Sequence, residues 1–232
     1  MIIFALVCHF RASQLQFLLF IEISTQNAFP KVFRALHVPG RPTIFTNVYD
    51  AVTAPAVLDL PSVKTIATAS YAVAAAARFK DDDMTLETNL AAIRAIASVV
   101  KEFQKPPSAD WQNGYGDRLE DGIKAIVDQG VVGINLEDSD KDSQNMYPTE
   151  VAAERISRAL ATAKAIGAPD FTINARMDIH IHGAELSEAT ERGKAYLAAG
   201  ANTVFVWVAL HAVESRKVKL LNSLKLSVKD WT

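Results

Sequence analysis

Shortages of cysteine, net charge and long apolar runs narrow the classes of protein that this sequence can represent. The single cysteine, Cys8, can form neither an internal disulfide nor a thiolate cage for a metal, which indicates a reducing, cytoplasmic location. The formal net charge of −2 and the lack of a basic stripe give no electrostatic reason to expect nucleic acid as a partner. No GxGxxG or P-loop motif follows a predicted strand, so a nucleotide-binding doubly wound sheet is not favoured.

The first residues contain two apolar runs, IIFALVC and LQFLLFI, separated by the polar segment HFRASQ. Neither run reaches the roughly 20 residues that a helix needs to cross a bilayer. The order of charged and apolar blocks also differs from that of a secretory signal peptide. We therefore expect residues 1–24 to be an extra apolar segment, with a membrane or targeting role as the less favoured alternative, and residues 25–232 to form a single domain.

Hydrophobic residues make up 50% of the 232 residues, enough to bury a substantial core. Short β-rich runs alternate with helical patterns, which predicts βα units and a parallel sheet. The predicted strands cover 43–50, 65–70, 107–112, 131–137, 171–178 and 203–208, and the predicted helices cover 31–40, 51–60, 85–103, 119–129, 148–166 and 186–199. The helix over 85–103 has the clearest pattern, because its apolar residues recur at steps of three and four, and Thr85 is its predicted N-cap. An alanine-rich turn is expected after 65–70.

Polar residues stand at the C-terminal ends of five different predicted strands. They are Asp50, Ser70, Asp110, Glu137 and Arg176. In a (β/α)8 TIM-type barrel these strand ends converge on one mouth, where such enzymes place their chemistry, so we expect all five to be neighbours. Because a typical barrel needs about 250 residues, we expect six or seven strands and a barrel that is incomplete towards its C-terminus.

Six segments of the sequence together resemble the isocitrate lyase/phosphoenolpyruvate mutase superfamily, and within it the phosphonomutase-like branch. They are ALHVPGRPTIFTNVYDAVTA, IATASYAVAAAARFKDDDMTLE, SADWQNGYGD, GVVGINLEDSD, INARMD and ERGKAYLAAGANTVFVW. The resemblance implies a Mg2+-dependent enzyme on a modified barrel, which forms or breaks a C–C or P–C bond next to a 2-oxo acid. It also implies a homo-oligomer, either a dimer or a tetramer.

The resemblance assigns metal and substrate roles to three of the strand-end residues. Asp110 matches the aspartate that faces Mg2+, and Glu137 matches the glutamate that holds the metal's water ligands. A hard cation that keeps several waters needs only one or two protein carboxylates, which agrees with this pair. Arg176 matches the arginine that grips the substrate carboxylate or enolate oxygen, a task suited to a guanidinium fork. The alternatives are structural roles at strand ends for the two acids and an exposed position for Arg176.

The loop that begins at Ser70 and continues through Tyr71 and Ala72 matches the family segment that binds the carboxylate of the 2-oxo acid. Asp81 most nearly matches the nucleophilic acid of the mutases, although a solvated acidic turn, formed with the two aspartates that follow it, is the alternative. Both assignments concern groups that would contact the substrate.

Two further segments match family features. Gly114 and Gly116 are expected to let the backbone turn sharply and approach the substrate, with an ordinary βα turn as the alternative. The eleven-residue polar loop over 138–148 corresponds to a gate over the site, because most βα connections have only two to six residues. Lys141 is its only titratable cation and is therefore the catalytic candidate within the gate.

The sequence departs from the family pattern at three places. Gln112 replaces a second aspartate, which removes a negative charge from the expected metal site. The gate lacks the cysteine that acts as acid or base in the lyases of the family. Trp207 stands where phosphonate-forming mutases have a histidine. His180 and His182 are interpreted as loop residues, since no third zinc ligand accompanies them.

Three functions remain open from the sequence. The first is a Mg2+-dependent enzyme that acts on a small 2-oxo acid or phosphono acid through an enolate. The second is a hydrolase or lyase for oxaloacetate-like acids that works without the usual cysteine. The third is a non-catalytic or truncated relative.

Overall fold

A parallel sheet of six strands forms the centre of the computed structural model, which describes residues 26–179, 182 and 186–207. The segment 1–24 and His180 lie outside these residues. The six strands are β1 (Thr46–Val48), β2 (Ile66–Thr68), β3 (Pro107–Asp110), β4 (Gly133–Glu137), β7 (Thr172–Met177) and β8 (Thr203–Val206). Two short strands between β4 and β7 pair only with each other: β5 (Ser139–Asp140) and β6 (Asn145–Met146).

The order of the strands distinguishes the two parallel architectures. The sheet runs β1-β2-β3-β4-β7-β8, so strands that follow one another in the sequence are also neighbours in space. A doubly wound sheet would instead reverse its order at a switch point. The prediction of a TIM-type α/β fold is therefore confirmed, with six parallel strands in the described part of the chain. Within the described residues β1 and β8 do not pair, so the barrel is open there.

Seven α-helices are described, and their order follows the predicted alternation. They are α1 (Ala28–Ala35), α2 (Thr53–Leu58), α3 (Ser70–Ala76), α4 (Leu86–Phe103), α5 (Leu119–Asp128), α6 (Thr149–Ala165) and α7 (Leu186–Ala198). The Thr85 hydroxyl accepts the Thr88 backbone N–H at 3.2 Å, as expected for the N-cap of α4. The predicted alanine-rich turn is wrong, because that segment is helix α3; alanine has the highest helix propensity, and Ser70 begins the helix.

The faces of the inner strands alternate between core and cavity. In β4, Ile134 and Leu136 are buried in the main core, whereas Asn135 is only half-buried. Strand β7 repeats the pattern, with Ile173 in the core and Asn174 half-buried. Apolar side chains thus pack against the surrounding helices, while the polar ones face the inside of the open barrel, as expected from the two-residue period of a strand.

The predicted gate over 138–148 is more regular than a loop. Ser139 pairs with Met146 and Asp140 with Asn145, so β5 and β6 form a small antiparallel hairpin. The Tyr147 backbone N–H also donates to the Asp138 carbonyl at 2.8 Å. The gate is therefore a short hydrogen-bonded unit with two fixed ends. None of the helices described in the structure is both long and apolar enough to cross a membrane.

Candidate active site

A cavity of about 660 Å3 opens at the C-terminal ends of the parallel strands. Its lining includes carboxylates, one arginine, amides and aromatic rings. The polar and aromatic lining residues are Asn47, Thr68, Ser70, Tyr71, Asp81, Ser108, Asp110, Asn135, Asn174, Arg176, Phe45, Phe205 and Trp207. This is the position at which a barrel places its chemistry.

Asp110, at the end of β3, is held by two N–H donors on its carboxylate. The backbone N–H of Ser70, the first residue of α3, donates to Oδ2 at 2.9 Å, and the Asn135 amide donates to Oδ1 at 3.2 Å. The main chain of Asp110 is fixed as well, because its N–H donates to the Thr68 hydroxyl at 2.8 Å and its carbonyl accepts the Asn89 amide at 3.1 Å. Two of the predicted site residues, Ser70 and Asp110, are thus in direct contact.

Arg176, in β7, lies between two carboxylates. Its Nη1 donates to Glu137 Oε1 at 2.6 Å and its Nε to Asp178 Oδ1 at 2.7 Å. The other oxygen of Asp178 accepts the Ser139 hydroxyl at 2.9 Å, and that hydroxyl lies 3.1 Å from His182 Nε2. The described member of the histidine pair therefore contacts the base of the gate, as a loop residue does.

The environment of Glu137 is crowded with negative charge. Burial raises the pKa of its carboxyl to about 8, and the charges of Asp110, Asp178 and Asp81 act in the same direction, whereas Arg176 opposes the rise. Two carboxylates, Asp81 and Asp110, line the cavity, against one guanidinium among its described lining residues. A bound cation would relieve this repulsion.

Trp207 covers the arginine. Its ring centre lies 4.6 Å from Arg176 Cζ, a geometry in which the guanidinium is attracted to the ring face. Both residues line the cavity, so Trp207 adds apolar bulk to the lining and also orients the arginine.

Asp81, Gln112 and Lys141 form a second cluster, at the edge of the gate. The Gln112 amide donates to Asp81 Oδ1 at 2.8 Å and to the Asp81 carbonyl at 2.9 Å. Lys141, in the hairpin turn, donates to Gln112 Oε1 at 2.7 Å and to the carbonyls of Asp81 and Asp82 at 3.3 and 3.4 Å. Gln112 itself is buried, at 2% exposed, and joins the gate to the acidic turn.

A buried ionic network behind the site was not predicted. Asp138 accepts the Asp178 backbone N–H at 2.9 Å, the Tyr196 hydroxyl at 2.7 Å and Arg192 Nη1 at 3.4 Å. Arg192 also donates to the Tyr147 carbonyl at 2.9 Å. Burial raises the pKa of the Asp138 carboxyl, and these donors oppose the rise. The network fixes the end of the gate against α7. The sequence feature that could have indicated it is a second carboxylate, Asp138, directly after Glu137 at the end of a buried strand.

Some predicted residues lie elsewhere. Tyr71 lines the cavity at its exposed rim, whereas Ala72, Gly114, Gly116, Glu137 and Lys141 are not among its lining residues. Gly114 has φ +78°, and a Cβ there would lie 2.7 Å from a methyl group of Leu119, so its lack of a side chain serves helix packing. The two glycines remain turn residues whose contact with a ligand is still a prediction.

The expectation that Asp50 shares the mouth is wrong. Its carboxylate accepts the backbone N–H groups of Val52 at 3.0 Å and Thr53 at 2.7 Å, so it forms a turn before helix α2, whose N-cap is Val52, and it does not line the cavity. The bond from Thr53 contributes most to lowering the pKa of this carboxyl. A short connection between β1 and α2 brings the carboxylate to the helix rather than to the cavity.

The carboxylates of the site suit Mg2+ as a ligand set. Among the described residues no group of three or more His, Cys, Asp or Glu side chains is arranged as a metal cage. Mg2+ keeps several waters and needs only one or two carboxylates, so the absence of such a cage in this part of the chain is compatible with it. Asp110 has lone pairs beyond the two in use, and Glu137 lies in the same cluster. The residues fit a hydrated hard cation.

Comparison with known proteins identifies the family. The model of the phosphoenolpyruvate phosphomutase family matches residues 33–228. The chain belongs to this family. A structure of a proposed phosphonomutase from Burkholderia cenocepacia superposes with a TM-score of 0.70 at 33% identity and covers 78% of this chain and 75% of that one.

Two curated proteins are similar to this chain. An uncharacterized protein of Mycobacterium tuberculosis is 29% identical over 184 residues, which is 76% of this chain and 65% of that protein. The phosphonopyruvate hydrolase of Variovorax sp. is 32% identical over 148 residues, which is 60% of this chain and 48% of the hydrolase. The chain therefore spans about two thirds of the first relative and about half of the second.

Proposed function

We propose that this phosphoenolpyruvate phosphomutase family member is a Mg2+-dependent enzyme that holds a small 2-oxo acid or its enolate and makes or breaks a C–C or P–C bond. One observation carries the proposal. The Asp110 carboxylate, fixed by Ser70 and Asn135, lines the same cavity as Arg176, which is paired with Glu137. Carboxylates that could hold a hard cation thus share one cavity with a guanidinium that could hold an anionic substrate.

Asp110, with Glu137 acting through bound water, would hold Mg2+, which when bound supplies positive charge for the oxygens of the substrate. The chain's own contribution is to fix the carboxylate beforehand. Ser70 and Asn135 each occupy one oxygen of Asp110, so its plane cannot rotate freely. A ligand held by such outer contacts loses less conformational freedom when a cation binds.

Arg176 is the proposed anchor for the substrate. Its contacts with Glu137 and Asp178 use Nη1 and Nε, and the guanidinium has five N–H groups in all. The remaining donors suit a carboxylate or an enolate oxygen, and Trp207 keeps the group from turning away. When the bond breaks, its electron pair passes to a carbon next to a carbonyl, and the negative charge collects on the enolate oxygen. A fixed guanidinium stabilises that charge.

Asp81 is the proposed reacting acid, and the gate would exclude water around it. The Gln112 amide holds Asp81 Oδ1, and Asp81 lines the cavity. The carboxylate could therefore act as a nucleophile or accept a proton from a water molecule. Closure of the hairpin over 139–146 through Lys141 would then protect the enolate from stray protonation.

A second candidate is hydrolysis of oxaloacetate-like acids. Two features favour it: the gate sequence has no cysteine, and Arg176 is the one cation among the described lining residues of the cavity. A water molecule activated by Asp81 or Glu137 would replace the cysteine, and a carboxylic substrate needs fewer cationic partners than a phosphono acid. Its products from oxaloacetate would be oxalate and acetate.

The test is a product assay with a panel of 2-oxo, 2-hydroxy and phosphono acids in the presence of Mg2+ and of EDTA. Mg2+-dependent release of pyruvate supports the leading function, and release of oxalate with acetate supports the second. The Asp110→Asn variant is expected to lose activity, whereas Asp117→Asn, the same change at an exposed position, is not. No turnover of any compound, together with no metal binding, would instead identify a non-catalytic relative.

A further inference from the structure

A row of four polar side chains crosses the inside of the open barrel and ends on Asp110. The Thr203 hydroxyl donates to Asn174 Oδ1 at 2.6 Å, the Asn174 amide to Asn135 Oδ1 at 2.8 Å, and the Asn135 amide to Asp110 Oδ1 at 3.2 Å. The sheet register places them in one layer, because Asp110 pairs with Asn135, Asn135 with Asn174, and Asn174 with Thr203. The row spans strands β3, β4, β7 and β8.

The direction of this row is fixed by chemistry. An ionised carboxylate can only accept hydrogen bonds, so Asn135 must turn its amide nitrogen towards Asp110. Its oxygen then faces Asn174, which must offer its own nitrogen and turn its oxygen to the Thr203 hydroxyl. The assignment of oxygen and nitrogen in both amides therefore follows from the identity of the terminal acceptor. Every donor in the row points towards Asp110.

We propose that Asn135 is a positioning residue that holds the Asp110 carboxylate in the orientation needed for the cation, with Asn174 and Thr203 as its support. The inference rests on the proposed function and deepens it. Asn135 donates to one oxygen of that carboxylate and Ser70 donates to the other, so the two donors do not compete. Each member of the row fixes the amide orientation of the next, so the four act as one unit.

A purely structural role is the alternative, in which the amides only fill the interior of the barrel. The cavity offers a matched control for it. Asn47 also lines the cavity, but its amide donates to the Ala67 carbonyl at 3.5 Å rather than to Asp110. Asn135→Leu and Asn47→Leu therefore make the same change in the same cavity, and only the first removes a donor from Asp110.

The experiment is titration of the full chain with Mn2+ or Mg2+, followed by calorimetry or electron paramagnetic resonance and without any substrate. Asn135→Leu is expected to weaken cation binding by about 10- to 100-fold, the range found when a partner of a metal ligand is removed. Asn47→Leu is expected to bind as the unmodified chain does. Thr203→Val keeps the shape of the side chain and removes only the first donor, so it is expected to weaken binding by a smaller factor. It also tests the inference independently if the Asn135→Leu variant misfolds.

Coupling gives a readout that a structural role would not change. Asn174→Leu should weaken cation binding in the unmodified chain but add little in the Asn135→Leu background, because the row is already broken there. If the unmodified chain binds the cation and Asn135→Leu and Thr203→Val bind it equally well, the inference is wrong and the proposed function stands. If the unmodified chain binds no cation, both are wrong.

Discussion

Loss of the Lys141 ammonium should open the gate without unfolding the protein. Lys141→Met removes the 2.7 Å bond from Nζ to Gln112 Oε1 and the two longer bonds to the carbonyls of Asp81 and Asp82. Methionine keeps most of the apolar stem. The amide oxygen of Gln112 is then left without this donor in a position that is only 2% exposed.

The magnitude follows from the nature of the bond. A hydrogen bond to a charged group contributes about 1.5–3 kcal/mol. Lys141 is only half-buried, so water replaces part of the lost interaction. The expected loss of free energy is therefore about 1–2 kcal/mol. That free energy corresponds to a factor of roughly 5–30 in the equilibrium between the closed and the open gate.

Amide hydrogen exchange measured by mass spectrometry reports this equilibrium directly. The Tyr147 N–H donates to the Asp138 carbonyl inside the closed gate, so peptides covering 139–148 should exchange roughly 5–30 times faster in Lys141→Met. Lys124→Met is the matched control, because Lys124 lies on α5 and pairs with Asp121 at 3.7 Å on the surface. Exchange of the gate should not change in that variant.

The role of Gln112 can be separated by a second change. Gln112→Met removes the acceptor of Lys141, so its effect and that of Lys141→Met on gate exchange should not add. If gate peptides exchange in Lys141→Met at the rate of the unmodified chain, the proposed closure of the gate by Lys141 is wrong. Faster exchange throughout the sheet would equally contradict it, since the change would then act on global stability.

Three further predictions concern packing, electrostatics and specificity. Gly122→Ala should destabilise the fold by about 1–3 kcal/mol, because the new Cβ would lie 2.6 Å from the Trp111 ring; urea unfolding checks it, and the gain of about 1 kcal/mol usual for this change within a helix would contradict it. Glu120→Gln should cost less than about 1 kcal/mol near pH 7, since the hydrogen bond from Arg158 lowers the pKa of the Glu120 carboxyl. The stability contributed by the ionised carboxyl is present above its unfolded pKa and is lost as the pH falls through its lower folded pKa. Melting temperatures of the unmodified chain and of Glu120→Gln should therefore converge in acid and not in base. Trp207→His should raise turnover of phosphono acids relative to carboxylic acids, because it adds a donor to the cavity lining; an unchanged ratio in the product assay would contradict it.

The sequence was sufficient for the parts of the fold that repeat. Alternation of β-rich and helical segments predicted the parallel sheet, and the spacing of apolar residues predicted α4 with its cap at Thr85. Two segments differ from the prediction, the one after β2 and the gate. The prediction of a turn after β2 overlooks the helix propensity of the alanines that follow Ser70. The prediction of a loop for the gate lacks the buried network around Asp138 and Arg192 that holds its ends, because those contacts join residues far apart in the sequence.

The charged residues predicted for the site share one property. Asp110, Glu137 and Arg176 carry charges at strand ends, and such residues are conspicuous in a sequence. Asn135 and Asn174 are neutral and were missed, although each lies two residues before a predicted site residue and therefore on the same face of its strand. Contacts between strands depend on the register of the sheet, which cannot be read directly from the sequence.

Calorimetric titration with oxalate, a planar dianion that resembles an enolate, tests the central claim most directly. We predict that oxalate binds in the presence of Mg2+ and binds much more weakly after EDTA treatment. Asp110→Asn and Arg176→Met should each abolish most of the Mg2+-dependent affinity, whereas Asp117→Asn should retain it. Oxalate binding that is independent of both Mg2+ and Asp110, or no binding at all, would contradict the assignment of this cavity as a Mg2+-dependent site for small acids.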